Sequence, residues 1–272
     1  MNTRAVGAIA RKDLLAALRS TSVWLPLVLV PLLLFVGVPA LVSSLLVAVP
    51  VESDELNELQ ELVRVMPPAV QRELERYSPQ QQVLVITLNQ LLAPLYLLVP
   101  LMVATVIAAD SLAGERERKT LEALLYTPIS DRELLAGKLL AAWGPAVLVG
   151  LSGFVAYGVT ANLVAWPVMG EVFFPNATWL VLALWAGPAA AGFGLGVMIL
   201  VSARVRGFQE AYQLGGLVVI PFIALLVSQA VGIVYVGPLL AFGLGALLWA
   251  VDALLLWFGS QALQRDALLT RQ

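Results

Sequence analysis

The run Val83-Leu-Val-Ile-Thr-Leu-Asn89-Gln-Leu-Leu-Ala-Pro94-Leu-Tyr-Leu-Leu-Val-Pro100-Leu-Met-Val-Ala-Thr-Val-Ile-Ala-Ala109 carries no charged residue over 27 positions. Roughly 20 apolar residues at 1.5 Å rise each cross the hydrocarbon of a bilayer, so this stretch predicts a membrane span. Similar runs lie at about 23–49, 139–165, 177–202, 212–236 and 238–259, which makes six spans. Composition agrees. Of 272 residues 60% are apolar and 12% charged, against about 25% charged in a soluble domain. Too few polar side chains remain to coat a globule of this size in water. The expected fold is an all-α polytopic membrane protein. Only Gly237-Pro238 separates the last two runs, which reads as a tight helical hairpin. The rival reading is a re-entrant pair, which needs irregular backbone buried in protein. The first run begins after a polar helical stretch and continues for about 26 residues, longer than the apolar part of a signal peptide.

Orientation follows from the flanking cations. With the N-terminus cytoplasmic, the inner side holds Arg4, Arg11, Lys12, Arg19, Arg116, Arg118, Lys119, Arg132, Lys138, Arg204, Arg206, Arg265 and Arg271. The outer side holds only Arg64, Arg72 and Arg76, a split of 13 against 3. Both termini are therefore expected inside a cell (plasma or inner) membrane. Net charge is −2, and nothing in the overall balance suggests a nucleic-acid partner. Cys and His are both absent, which excludes disulfides, thiol nucleophiles, imidazole bases and most zinc, copper or haem sites.

Residues 1–22 read as an amphipathic connecting helix ahead of a transmembrane domain over 23–272. At 100° per residue, Arg4, Arg11, Lys12 and Arg19 share about a third of the wheel and Val6, Ile9, Ala10, Leu14 and Ala17 lie opposite. Such a helix rests in the headgroup plane with its apolar face down. Asp13 falls in the apolar arc and needs a cation from a neighbouring segment. The outer segment, 50–82, carries seven carboxylates and three arginines. Leu56, Leu59 and Val63 recur at helical spacing before Pro67-Pro68, and Val70, Leu74 and Tyr77 start a second short helix, giving a small two-helix cap. Its charges form either a solvated surface or an acidic vestibule.

The cytoplasmic segment 110–138 reads Asp110-Ser-Leu-Ala-Gly-Glu115-Arg-Glu-Arg-Lys-Thr120-Leu-Glu-Ala-Leu-Leu-Tyr126-Thr-Pro128-Ile-Ser130-Asp-Arg-Glu133 as far as Glu133. Thr120 is placed to cap a helix over 121–126, with Glu122 in its first turn. Pro128 ends it, and Ser130 and Glu133 have capping-box spacing for the next helix. A six-residue helix is unstable alone in water, so it packs on its own spans or on a partner. The shorter inner loop, Ser202-Ala-Arg204-Val-Arg206-Gly, reads as a topology determinant.

These residues resemble the ABC type 2 exporter permeases. Gly114-Glu115-Arg-Glu-Arg118, Thr120-Leu-Glu-Ala-Leu124, Thr127-Pro-Ile-Ser130 and Gly137-Lys138 follow that family's pattern, with Lys119 where Gly is more usual. Ala8-Ile-Ala-Arg-Lys-Asp-Leu14 resembles its N-terminal segment, and Gln209-Glu-Ala-Tyr-Gln-Leu-Gly-Gly216 resembles its sodium-efflux-like branch. The resemblance implies the membrane-spanning subunit of an ATP-driven exporter. It would pair with a second copy or homologue and sit on a separate ABC ATPase subunit, which binds the ATP and Mg. Leu121–Tyr126 would be the coupling helix, with Thr120, Leu121, Glu122, Leu124 and Leu125 at the ATPase. Glu115, Arg116, Glu117 and Arg118 would make charged contacts there. Arg11, Lys12 and Asp13 would belong to the connecting helix, with Asp13 a candidate partner for an arginine of the coupling region. The chain has no glycine-rich GxxxxGK[ST] phosphate loop, so it is not expected to be catalytic alone or to hold a cofactor.

Inside the spans, Asp252 is the one clear ionisable residue, with Asn89, Asn162 and Gln229 as neutral companions. An intramembrane ionisable group is a functional candidate. Asp252, Asn162 and Gln229 either line a path or pack. Gly192 and Gly196 have GxxxG spacing, a packing feature. A stand-alone secondary transporter usually shows paired carboxylates or interrupted helices in two matching halves, and no internal repeat is visible. An intramembrane enzyme would need a carboxylate pair or Ser-Lys dyad at depth. A membrane anchor recruiting an ATPase for a non-transport role stays open. Sodium, a hydrophobic drug, a lipid and a peptide all remain possible substrates, with the apolar spans favouring an amphipathic or lipid-like cargo.

Overall fold

A computed structural model describes residues 2–48, 63–64, 66–117, 130–202, 204–205 and 207–262. Six helices among them are long and apolar enough to cross a membrane: span 1 (Val23–Ala48), span 2 (Pro79–Gly114), span 3 (Arg132–Met169), span 4 (Ala177–Ser202), span 5 (Phe208–Ala230) and span 6 (Pro238–Gly259). Helix α1 (Thr3–Arg19) precedes them, and the short α2 (Pro68–Leu74) lies ahead of span 2. No strand occurs among the described residues.

Span 2 is the centre of the bundle. Its apolar window is 78% buried, against 17% for span 1 and 22% for spans 5 and 6. Its continuous apolar sequence fits that position, since a helix apolar all round has no polar face to keep in water. Spans 3 and 4 both pack against it and against each other. Span 6 rests on span 4, where a Cβ at Gly192 would come within 2.3 Å of Asp252 and one at Gly196 within 2.8 Å of Leu255. The GxxxG pair is thus a packing seam for span 6.

Prolines in the first two spans sit beside breaks in their helices. Span 1 widens into a π-type turn at Leu33–Gly37, between Pro31 and Pro39. Span 2 widens at Ile86–Leu91 and tightens into a 3-10 turn at Ala93–Leu97, around Pro94. Proline has no N–H for the residue four back and its ring clashes there, so the ladder slips by one residue on either side.

Three expectations are corrected. Span 5 ends at Ala230, so a seven-residue connection, 231–237, replaces the two-residue hairpin. Gly232 at φ +75 turns the chain there, a conformation open to glycine and unfavourable for residues with a Cβ. Pro67-Pro68 starts a helix: Pro67 is the N-cap of α2 and Pro68 is its first residue, where a missing N–H is harmless. Leu74 and Tyr77 are buried beneath it. The first helix of the expected outer cap, through Leu56 and Leu59, lies outside the described residues. Lastly, the apolar face of α1 is not all turned to lipid. Val6, Ile9, Asp13 and Ala17 are buried, with α1 packed on span 3, while Leu15 and Leu18 stay exposed.

Candidate functional site

Where α1, the end of span 2 and the start of span 3 meet, four charged side chains close a ring. Asn2 caps α1, accepting from the N–H groups of Arg4 (3.1 Å) and Ala5 (3.4 Å). The expected capping box starts the helix of span 3: Glu133 N donates to Ser130 Oγ (3.4 Å) and Ser130 N to Glu133 Oε2 (3.1 Å). The other Glu133 oxygen accepts from Asn2 N, which ties the two helix starts together. Gly137 then lets α1 approach closely, since a Cβ there would lie 2.7 Å from Ile9 Cβ. Gly137→Val is expected to push α1 off span 3 at about 1–3 kcal/mol. Hydrogen-exchange protection of the α1 amides should fall with it, and unchanged protection would contradict this packing.

That approach brings Lys138 onto Asp13. Lys138 Nζ lies 3.2 Å from Asp13 Oδ2 and 2.6 Å from Glu115 Oε2, and donates to the Ser111 carbonyl at 2.7 Å. Ser111 Oγ donates to Asp13 Oδ2 at 2.6 Å. The Ser111 carbonyl is within reach because span 2 widens over Asp110–Gly114, which loosens its helical bonding. Lys12 closes the ring, 2.8 Å from Asp13 Oδ1 and hydrogen-bonded to Glu115 Oε1. Side-chain exposure is 1% for Asp13, 5% for Lys138 and 7% for Glu115, with Lys12 at 46%. Two ammonium groups and two carboxylates balance, which lets charges this buried persist.

Burial works against the Asp13 carboxylate, but Lys138, Lys12 and Ser111 outweigh it and hold its pKa below the usual carboxylate range. Burial likewise disfavours the Lys12 ammonium, and hydrogen bonds to Asp13 and Glu115 reverse the effect and raise its pKa. Because the folded pKa of Asp13 is depressed, its contribution is present above the unfolded value, about 4, and is lost as pH falls through the folded one. Lys12 acts in the opposite sense: its contribution is present below about 10.4 and is lost as pH rises through the raised folded value. The expected unfolding midpoint is flat near neutrality and falls below pH of about 4. Asp13→Asn should blunt that acid limb, measured as thermal unfolding in detergent.

Glu117 points elsewhere. Its Oε2 accepts from Phe208 N, the first residue of span 5, at 2.9 Å. Residues two apart on the end of span 2 therefore hold opposite sides of the bundle: Glu115 grips α1 and span 3, Glu117 the start of span 5. Glu115, expected to face a partner, is turned inward. The described cations at Asp13 are lysines rather than the expected arginine. Arg11 is exposed, the Arg116 side chain is not described, and Arg118, Thr120, Leu121, Glu122, Leu124 and Leu125 lie outside the described residues. Lys138 entered the sequence reading only as part of the Gly137-Lys138 pair, with no role assigned, and Ser111 was missed. The only signal for Ser111 was its position, a serine at the edge of a span.

A second constellation surrounds the break in span 2. Three successive carbonyls there are met by side chains from three spans. Tyr157 Oη donates to Leu88 O at 2.7 Å, Trp179 Nε1 to Asn89 O at 3.1 Å, and Gln229 Nε2 to Gln90 O. Pro94, four residues beyond Gln90, has no N–H to offer that carbonyl. Sequence held this signal, since a proline deep in a span frees the carbonyl four residues back, but not which donors answer it. Gln229 also accepts from Val236 N (3.3 Å), bracing the 231–237 turn. Asn162 is a brace as well: its Nδ2 donates to Gly158 O (2.8 Å) and Phe174 O (2.9 Å), and its Oδ1 accepts from Phe173 N (3.1 Å). Asp252 is 2% exposed, packs on Gly192, and has no hydrogen-bond partner among the described residues for either oxygen. Gln229, Asn162 and Asp252 thus occupy three different environments. No group of His, Cys, Asp and Glu suited to a metal occurs among the described residues.

Two comparisons bear on these sites. A family described as ABC-2 family transporter protein has a model that matches residues 7–248. The chain is also 47% identical over 49 residues to the ABC transporter permease protein NatB of Bacillus subtilis (strain 168), a stretch that covers 18% of this chain and 13% of that one.

Proposed function

We propose a function from one premise: this chain belongs to the ABC-2 family of transporter proteins. It is an all-α, multi-pass membrane protein of that family. The specific reading is the membrane-spanning permease subunit of an ATP-driven exporter. A separate ABC ATPase would bind the ATP and Mg and would dock on Thr120, Leu121, Glu122, Leu124 and Leu125. A second copy or a homologue would complete the path. By the positive-inside split both termini would be cytoplasmic, with the charged ring on that side. Partial identity to a named permease supports this reading.

The observation that carries it is the linkage at the end of span 2. Glu115 and Glu117 lead directly into the segment where the ATPase would bind, and they hold α1, span 3 and span 5. A displacement of that segment is therefore passed to several spans at once, as a coupling element requires. In this reading Glu115 acts inside the chain, through Lys12 and Lys138, rather than by touching the ATPase.

Co-purification with a cognate ABC ATPase in mild detergent tests it. Wild type is expected to hold the ATPase and stimulate its ATP hydrolysis. Glu115→Ala is expected to keep the complex while losing stimulation, and Leu124→Ala/Leu125→Ala to lose the complex. If no candidate ATPase binds, the permease reading fails, and the unpartnered Asp252 directs attention to a self-contained transporter.

A further inference from the structure

At the opposite end of span 2 from the charged ring, a cavity of about 200 Å³ opens between the start of that span and the end of span 5. That is several times the roughly 30 Å³ a liquid water occupies. We propose that it binds an uncharged amphiphile, an apolar body carrying one hydrogen-bond donor such as a hydroxyl or an amide N–H.

The walls set the apolar part. Val83, Ile86 and Leu91 line one side, at the spacing of a single helix face, and Val234 lines the other. No Asp, Glu, Lys or Arg is among the described lining residues. A charged head would give up water and meet no counter-charge among the described lining residues, which disfavours carboxylates, ammonium groups and bare ions as occupants.

Gln90 sets the donor. It is 8% exposed and lines the cavity, yet its Oε1 has no hydrogen-bond partner among the described residues. A buried acceptor left unpaired costs about 1–3 kcal/mol, which a ligand's donor would recover. Gln229 is not placed to fill it. Its Nε2 is committed to the Gln90 main-chain carbonyl that Pro94 leaves open, and its Oε1 to Val236 N. Tyr235, which lines the same cavity, shares a side-chain hydrogen bond with Gln90 and brings its hydroxyl beside the open Oε1. The recognition chemistry is therefore an uncharged, mostly apolar pocket in which Gln90 Oε1 is the open buried acceptor, with the hydroxyls of Thr87 and Tyr235 also on its lining. A neutral membrane lipid and a transported molecule both fit it. Only the second source rests on the exporter reading.

The test uses the full chain in phosphatidylcholine nanodiscs, labelled with a diazirine-bearing 1-dodecanol and mapped by mass spectrometry. Adducts are expected within residues 83–91 and 229–235. Unlabelled 1-dodecanol should displace them, with dodecanoate and dodecyltrimethylammonium far weaker. Gln90→Leu should weaken dodecanol competition about tenfold, the loss of one hydrogen bond at 1.4 kcal/mol per decade. Val83→Trp, which fills the cavity without touching the amide, should abolish specific labelling. Adducts elsewhere, equal competition by dodecanoate, or full labelling of the Val83→Trp protein would overturn the proposal. Adding a cognate ATPase and ATP separates the sources: a resident lipid keeps its site during turnover, and a cargo is cleared from it. Labelling itself needs no ATPase, so this proposal and the exporter reading fail independently.

Discussion

Lys138→Met is expected to destabilise the protein by about 3–5 kcal/mol, the usual result of removing one partner from a buried charge cluster. The side chain is 5% exposed and holds Asp13, Glu115 and both oxygens of Ser111. Without it, two buried carboxylates share the half-exposed Lys12, and one of them must take a proton or draw in water. Lys138→Met/Glu115→Gln restores the charge balance around a Lys12–Asp13 pair and should recover much of the loss. Thermal unfolding in detergent at neutral pH measures both. Equal midpoints for the single and double variants would show that the ring is ordinary polar packing rather than a balanced charge cluster. Ring disruption should also release α1, because Asp13 and Lys12 are its charged links to the spans, so hydrogen-exchange protection of the α1 amides should fall in the single variant.

Trp179→Ala carries the second large effect, about 3 kcal/mol. Trp179 is 1% exposed and its ring lies 4.4 Å from Tyr157, 4.9 Å from Phe174 and 5.9 Å from Tyr96. In a bilayer little of that loss is water exclusion, since lipid tails are as apolar as the ring. It is contact energy forfeited around a void, together with the Asn89 carbonyl losing its donor. Trp179→Phe keeps most of the ring contact and drops only the N–H, so about 1 kcal/mol is expected. A similar loss for both variants would place the effect in the hydrogen bond, and span 2 would then depend on its answered carbonyls more than on aromatic packing.

Local pattern was sufficient for much of this molecule. Uninterrupted apolar runs fixed six helices, because only a helix satisfies its own backbone in lipid. Ser130 and Glu133 marked the start of a helix, and Gly192 and Gly196 marked a packing seam, because caps and small-residue seams are made by neighbours a few positions apart. Pro94 announced a break in span 2, and Asp13 announced a need for a cation. In each case the sequence states a demand.

Tertiary structure decided how each demand is met. Asp13 finds Lys138, 125 positions away, and Gln90's open carbonyl finds Gln229, 139 positions away. Such partners carry no local signature, because which helix faces meet depends on packing across the whole bundle. The inward turn of Glu115 has the same origin. On the sequence it is one of four alternating charges, indistinguishable from Glu117, and a widened turn at Asp110–Gly114 sends one to the ring and the other to span 5. Span 5 likewise stops at Ala230 because Gly232 adopts a left-handed turn that Gln229 braces. Hydropathy, which counts residues and not their partners, runs straight through it.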